Sequence, residues 1–274
     1  RGSRAGTFLH TLFESIVFET AEPIRQFQTQ YGSLVALIDA KLSLTKLVDD
    51  SSVSLWSAYL ASWLNTVLNA PLLRSENETH EPSIRCLADL KEADYFSEMA
   101  FYFSVDQFRA SEFNATVKQY LGQNETLEFG SFDGHLKGAI DLVFKANGQY
   151  FILDYKSNFL GDSVDDYQES ALKVVMQEHR YDVQYLLYTL ATHRFLTHRF
   201  GDAYDYQRDF GGVYYLFLRG LALDTDVETV ISSIQAAPNV TNTANLTNKK
   251  KTGVLFIKPE RGLIEALDRQ VSTT

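Results

Sequence analysis

Two short stretches hold the residues of this chain best suited to chemistry: Gly138-Ala139-Ile140-Asp141 and Ile152-Leu153-Asp154-Tyr155-Lys156-Ser157-Asn158. Each places an aspartate at the end of an apolar run, and the second sets a lysine two positions further on. Side chains alternate along a strand, so Asp154 and Lys156 share one face while Tyr155 points away. Asp141 joins them if the first run is the neighbouring strand. Two carboxylates and an ammonium on one sheet face are costly to bury without partners. A divalent cation between the carboxylates removes that cost and gives a site able to activate water and polarise a phosphate. The plainer reading is an ordinary hairpin with a surface salt bridge, and a single Asp-x-Lys supports no more than that. Two aspartates paired across one hairpin tip the reading toward a site.

The elements that must position these residues are legible around them. Ile140-Asp141-Leu142-Val143-Phe144 is apolar and β-branched, Asn147-Gly148 favours a tight turn of positive φ, and 149–155 reads as the return strand. Upstream, the spacing predicts helices over 7–19, 23–47 and 52–69. The first carries Phe8, Leu9, Leu12, Phe13, Ile16 and Val17 at helical spacing. The second has Pro23 in its first turn and a weak point at Gly32. The third takes caps from Asp50-Ser51-Ser52 and a stripe of Trp56, Leu60, Trp63, Leu64 and Leu68. Residues 74–82 are polar and loop-like, 95–105 an aromatic-rich strand, and 106–121 helical or irregular. Downstream come two consecutive helices (165–177 and 180–200) and a strand at 212–218 whose unbroken apolar run predicts full burial. A polar loop at 236–252, a last strand at 254–257 and a helix from Pro259 complete the chain. No internal repeat is present. The expected assembly is a single α/β domain over 1–274: a helical layer (1–90) feeding a catalytic core (91–274) built on a mixed sheet flanked by helices.

Composition narrows the function. The chain has 274 residues, 45% hydrophobic and 22% charged, as soluble globular proteins do. No apolar run approaches the ~18 residues that cross a bilayer, so no membrane partner is expected. The chain starts at Arg1 with no charged-then-apolar leader, which reads as a piece of a longer polypeptide entered through a linker. A single cysteine, Cys86, excludes an internal disulfide and a cysteine-based zinc site. Asn-x-Thr sequons at Asn77, Asn114, Asn124, Asn239 and Asn245 are read as chance occurrences in a cytoplasmic protein rather than the mark of a secreted one. The net charge of −10 argues against a stand-alone nucleic-acid binder. It leaves room for a catalytic module that receives DNA from a partner or another domain. The best local basic surface is the helix bearing Arg180, His193, Arg194, His198 and Arg199.

Taken in order, four motifs resemble the nuclease domain of the bacterial RecB family, within the D…(D/E)-x-K metal-dependent nucleases. They are Gly138-Ala-Ile-Asp141-Leu-Val-Phe, Leu-Asp154-Tyr-Lys156-Ser-Asn, His179-Arg-Tyr-Asp-Val-Gln184-Tyr-Leu-Leu-Tyr188 and Phe210-Gly-Gly-Val-Tyr-Tyr-Leu-Phe-Leu-Arg-Gly220. The likeness starts at Gly6-Thr-Phe-Leu-His10-Thr-Leu-Phe-Glu14 and is poor over 20–90 and 236–252. It implies a restriction-endonuclease-like fold and Mg²⁺ or Mn²⁺ held by His10, Asp141, Asp154 and the backbone carbonyl of Tyr155, a donor set of imidazole and hard oxygens. Asp154 and Lys156 are then the catalytic pair. Lys156 orients or deprotonates water, or holds the scissile phosphate. Glu98 corresponds to a family glutamate that holds a water or second cation. Gln184 and Tyr188 fit a Gln-x-x-x-Tyr helix motif that supports the lysine or a DNA phosphate. Each has a plainer reading from its own surroundings: His10 and Tyr188 as core residues, Glu98 as a surface glutamate. Glu14, one turn after His10, is either its outer partner or simply solvated.

The resemblance further implies hydrolysis of DNA phosphodiesters, of exonuclease V type, in recombinational double-strand-break repair. The DNA would arrive as a single strand from helicase domains of the same polypeptide, with RecC- and RecD-like subunits and RecA as partners. No Gly-Lys-Ser/Thr phosphate loop occurs here, so the motor lies elsewhere. The rival readings are a non-catalytic docking module for partner subunits or a recombinase, and an independent nuclease of the same fold. The intact Asp141, Asp154 and Lys156 argue against the first; the acidity and truncated start argue against the second.

Overall fold

Both central residues of the turn between the motif strands, Asn147 and Gly148, have positive φ, 50° and 78°. That is the type I′ geometry, whose twist matches that of paired strands. It joins β2 (Ser131–Ala146) to β3 (Gln149–Lys156) as an antiparallel pair in the register Ala146↔Gln149 through Leu142↔Leu153. The fold here is that of a computed structural model, which describes residues 3–16, 18, 25–72, 86–122, 127, 128, 130–221 and 252–271. Among the described residues the hairpin belongs to a mixed sheet of five strands in the order β1-β2-β3-β4-β5. β1 is Tyr95–Arg109, β4 Phe210–Phe217 and β5 Val254–Ile257. All of β4 is buried, as its unbroken apolar run requires.

Contacts along the chain divide it into two compact units. The first comprises Arg1–Tyr95, Tyr155–Lys173 and Tyr215–Leu255. It holds α1 (Ser3–Phe13), α2 (Arg25–Thr45) and α3 (Val53–Leu68). Phe8, Leu12 and Phe13 form the buried stripe of α1. That helix stops at Phe13 instead of reaching residue 19. Ser15 and Ile16 donate to carbonyls three residues back and the Ser15 hydroxyl bonds to Thr11. This tightened last turn precedes the β-branched pair Ile16-Val17, which resists helix. In α3 the expected stripe residues Trp63, Leu64 and Leu68 are buried, together with Val53, Ser57, Ala61 and Val67, whereas Trp56 of that stripe is 43% exposed. Small residues win that position because α2 packs there, with the Ser57 hydroxyl on Asp39 at 3.1 Å. The expected cap also differs: Ser52 makes no capping bond, because the Asp49 carboxylate takes both Ser51 and Ser52 hydroxyls. The region 74–82 and all but residue 252 of the loop 236–252 lie outside the described residues, as does Pro23.

The second unit comprises Phe96–Asp154, Val174–Tyr214 and Phe256–Thr274. The segment expected to be helical or irregular is β1 up to Arg109, then α4 (Ala110–Leu121), which ends on Gly122 in the left-handed region. After α5 (Glu169–Glu178), which straddles the two units, α6 (Tyr181–Phe200) leads through the short α7 (Tyr206–Asp209) into β4; the end of that strand and α8 (Leu218–Leu221) after it belong to the first unit. The last helix, α9 (Arg261–Val271), buries Leu263, Ile264, Leu267 and Val271 and packs against α4 and α6. Of the sequons, Asn114 is among the described residues. Its side-chain amide bonds both ways to the backbone of Leu127, at 3.0 and 2.8 Å, so it closes a loop. No helix among the described residues is long and apolar enough to cross a membrane.

Candidate active site

The hairpin register carries the two aspartates to each other. Asp141 and Asp154 are the next positions beyond the Leu142↔Leu153 pair, and directly opposed residues share a sheet face. Asp154 is 2% exposed and Asp141 half-buried. On β1, Glu98 has φ 52°, a left-handed conformation that a glutamate inside a strand rarely adopts. Such a residue interrupts the strand's alternation and re-aims its side chain. Oxygens of Glu98 and Asp141 lie within 4.8 Å of each other. Like charges that close are repulsive unless a cation sits between them.

Helix α6 supplies the neutral partner. Gln184 and Tyr188, one turn apart, are linked by a hydrogen bond of 3.0 Å from the Gln184 amide to the Tyr188 hydroxyl oxygen. Burial, then the charges of Asp154, Asp141 and Glu98, push the Tyr188 phenol above the usual tyrosine range, against the opposing effect of the Gln184 bond. Three carboxylates therefore bear on one phenol, which stays protonated and remains a donor. The position of Tyr188 traces back to a glycine. A Cβ at Gly138 would stand 2.6 Å from Phe101 Cζ, and Phe101 meets Tyr188 edge-on at 5.9 Å. The glycine of the first motif makes room for the ring that backs the tyrosine.

In the other unit, Tyr155 is buried and stacked on Phe13 of α1 at 4.2 Å, with His10 edge-on to it at 6.4 Å. Its ring thus points into the core, as the alternation from Asp154 predicts. Lys156 is 9% exposed, with its ammonium 5.3 Å from the Tyr215 ring centre. A cation over an aromatic face is favoured more strongly where water is scarce. Within the second unit, the close carboxylate oxygens of Glu98 and Asp141 are hard donors of the kind that suits a divalent cation.

The structure thus draws Glu98, Asp141, Asp154, Gln184 and Tyr188 into one neighbourhood, with Glu98 half-buried. Glu14 is exposed. The expected basic face of α6 is largely neutralised. Arg180 pairs with the buried Asp182 at 3.3 Å, and Arg194 pairs with Asp268 of α9. His193 is half-buried, 3.1 Å from the Tyr204 hydroxyl, and burial lowers its proton affinity. His198 and Arg199 remain exposed. The expectation failed because a helix that packs on both a sheet and α9 has little solvated face left. The roles of Gly138 and Phe101 were missed. Their signal was only a glycine in an otherwise β-branched run, which marks close approach of a neighbour.

Comparison with known proteins agrees with this geometry. Residues 1–254 match the PD-(D/E)XK nuclease superfamily, whose restriction-endonuclease-like fold is a mixed sheet flanked by helices, as here. The chain is 41% identical over 225 residues to the RecBCD enzyme subunit RecB of Escherichia coli K12, covering 81% of this chain and 17% of that protein. It is 39% identical over 223 residues to RecB of Haemophilus influenzae, covering 81% and 16%. An 89-residue match to RecB of Mycobacterium tuberculosis H37Rv is 46% identical and covers 32% and 8%. The chain therefore spans about a sixth of the length of the first two relatives. With its paired acids, its lysine and its sheet in place, the chain belongs to the PD-(D/E)XK nuclease superfamily.

Proposed function

We propose that the chain, as one nuclease domain over residues 1–274, is a Mg²⁺-dependent deoxyribonuclease. It would be the nuclease module of a RecBCD-type helicase–nuclease acting in recombinational repair in the cytoplasm. The observation that carries the reading is the hairpin register that sets Asp141 opposite Asp154, with oxygens of Glu98 and Asp141 within 4.8 Å of each other. Family membership over 1–254 and the likeness to RecB support it. In this reading His10, Asp141, Asp154 and the Tyr155 carbonyl hold the cation, and Glu98 holds a water or a second one. A Mg²⁺ or Mn²⁺ ion held by these residues would supply a lowered pKa for bound water and charge withdrawal from the phosphate. Lys156 orients the attacking water or takes its proton, or else neutralises the scissile phosphate. The Tyr215 ring, 5.3 Å from Nζ, helps to hold that side chain in one place, so little ordering is left for the transition state. Tyr188, kept protonated by burial and by the charges of Asp154, Asp141 and Glu98, would offer its hydroxyl as a hydrogen-bond donor at the edge of the acidic cluster.

The substrate in this reading is single-stranded DNA delivered by helicase domains of the same polypeptide, alongside RecC- and RecD-like subunits and RecA. Net charge −10 and a neutralised α6 face support delivery over capture, since unaided binding rests on phosphate neutralisation. The test incubates the purified chain with single- and double-stranded DNA, with and without Mg²⁺, beside Asp154→Asn. Cleavage that requires the cation and vanishes in the variant is expected. Cutting without a divalent cation, or undiminished cutting by Asp154→Asn, would overturn the reading.

A further inference from the structure

The fourth motif ends in Leu218-Arg219-Gly220, and nothing above uses its arginine. Arg219 Nε donates to the carbonyl of Ser157, the residue after Lys156, at 3.0 Å. Three residues on, Leu160 N–H donates to the Tyr167 hydroxyl oxygen, also at 3.0 Å. Tyr167 is fully buried, and a Cβ at Gly220 would come within 2.6 Å of its ring. Its carbonyl accepts from Gly253 N–H at 2.9 Å, and the Thr252 hydroxyl bonds to the Gly220 carbonyl at 2.9 Å. The segment 157–160 is therefore pinned at both ends by groups at or against the end of one motif. Between the pins stands Phe159, 41% exposed, with the Arg219 guanidinium carbon 6.0 Å from its ring centre. The ring thus offers a π-face to solvent with a cation held beside it.

A rigidly held, exposed aromatic beside a guanidinium is the arrangement that binds single-stranded nucleic acid: every base offers a π-face, and the cation meets the neighbouring phosphate. We propose that Phe159 and Arg219 form a nucleotide-holding step next to Lys156, Phe159 stacking on a base of single-stranded DNA and Arg219 pairing with the adjacent phosphate. A base seated on Phe159 sets the strand's position relative to Lys156, three residues before it. Duplex DNA cannot use the step, because its bases are already stacked on one another. The inference rests on the nuclease reading and specifies the strand form that its site holds.

The test measures binding of labelled single strands to the 274-residue chain by fluorescence anisotropy, with Ca²⁺ replacing Mg²⁺. Phe159→Ala should weaken binding of an oligothymidylate about tenfold, leave an abasic strand of equal length unaffected, and be rescued by Phe159→Trp. Arg219→Gln should lower the slope of log affinity against log salt by about 0.7, one phosphate contact, whereas Arg219→Lys should keep it. A purely structural role for the pair would weaken both strands equally and leave the slope unchanged; either result overturns the step. If the parent chain cuts DNA while Phe159→Ala binds oligothymidylate as tightly as the parent, the step falls and the nuclease reading stands. If the parent neither cuts nor binds single strands, both fall together.

Discussion

Replacing Gly138 by alanine tests the chain of contacts from a motif glycine to the acidic cluster. The new Cβ would stand 2.6 Å from Phe101 Cζ and 2.8 Å from Cε1, so the ring must move. It is hemmed in: Tyr188 meets it edge-on at 5.9 Å, and Phe103 stacks on it at 5.9 Å with the Arg194 guanidinium 4.9 Å from the Phe103 ring centre. Overpacking of this kind costs about 1–3 kcal/mol. Loss of glycine's freedom in the unfolded chain offsets about 0.4–1 kcal/mol. The net loss of about 1–2 kcal/mol corresponds to a melting temperature lower by about 2–8 °C for a domain of this size. Thermal melts of Gly138→Ala, Phe101→Leu and the double variant measure it. A smaller ring partner relieves the clash, so the double variant should be more stable than the sum of the single effects predicts. Cleavage by Gly138→Ala should also fall, because the displaced ring carries Tyr188 with it. If Gly138→Ala melts with the parent, or the two changes add without coupling, Phe101 does not transmit the glycine's effect.

Calorimetric titration with Mn²⁺ should show a large loss of affinity in Asp141→Asn, since a hard cation needs anionic oxygens; unchanged affinity would remove Asp141 from the site. Lys156→Ala and Lys156→Met should keep Mn²⁺ binding, because a protonated amine is no ligand. Both should lose more than about tenfold in cleavage rate, about 1.4 kcal/mol of barrier, and turnover closer to the parent's would exclude a chemical role. Acid should destabilise the fold through His193, whose proton affinity burial lowers. The stability it contributes is present above its unfolded pKa of about 6.5 and lost as pH falls below it, so His193→Gln should flatten the fall in melting temperature between about pH 7 and 5.5. At the alkaline end, burial raises Tyr185, Tyr188, Tyr204 and Tyr206. Their contribution is present below about pH 10 and lost above it, and ultraviolet difference spectra should show these phenols still protonated after the exposed tyrosines have ionised.

What could be read from residues alone was local. Asn147-Gly148 announced its turn because few dipeptides accept two positive φ values in succession. Once that turn is known, the meeting of Asp141 and Asp154 follows by counting. β5 and the burial of β4 were equally plain from apolar runs. Glu98 was reached only through the family resemblance, since nothing in Phe96-Ser97-Glu98-Met99 signals a left-handed strand residue. Such strain is set by tertiary packing rather than by propensity. The exposure of Trp56 and the neutral face of α6 failed for a related reason. Helical spacing says which residues share a face, but which face is covered depends on α2 and α9, elements far away in sequence. Arg219 was quoted in a motif, yet its bond to Ser157 spans 62 positions and leaves no periodic trace.

The two-residue turn between β2 and β3 also bears on the order in which the chain folds. Closing so short a loop costs little entropy, and hairpins form within microseconds. Asp141 and Asp154 therefore meet early, before the distant helices arrive to bury them. Their repulsion then burdens the folding barrier as well as the folded state, and in the proposed reading the cation that joins them would also speed the assembly of its own site.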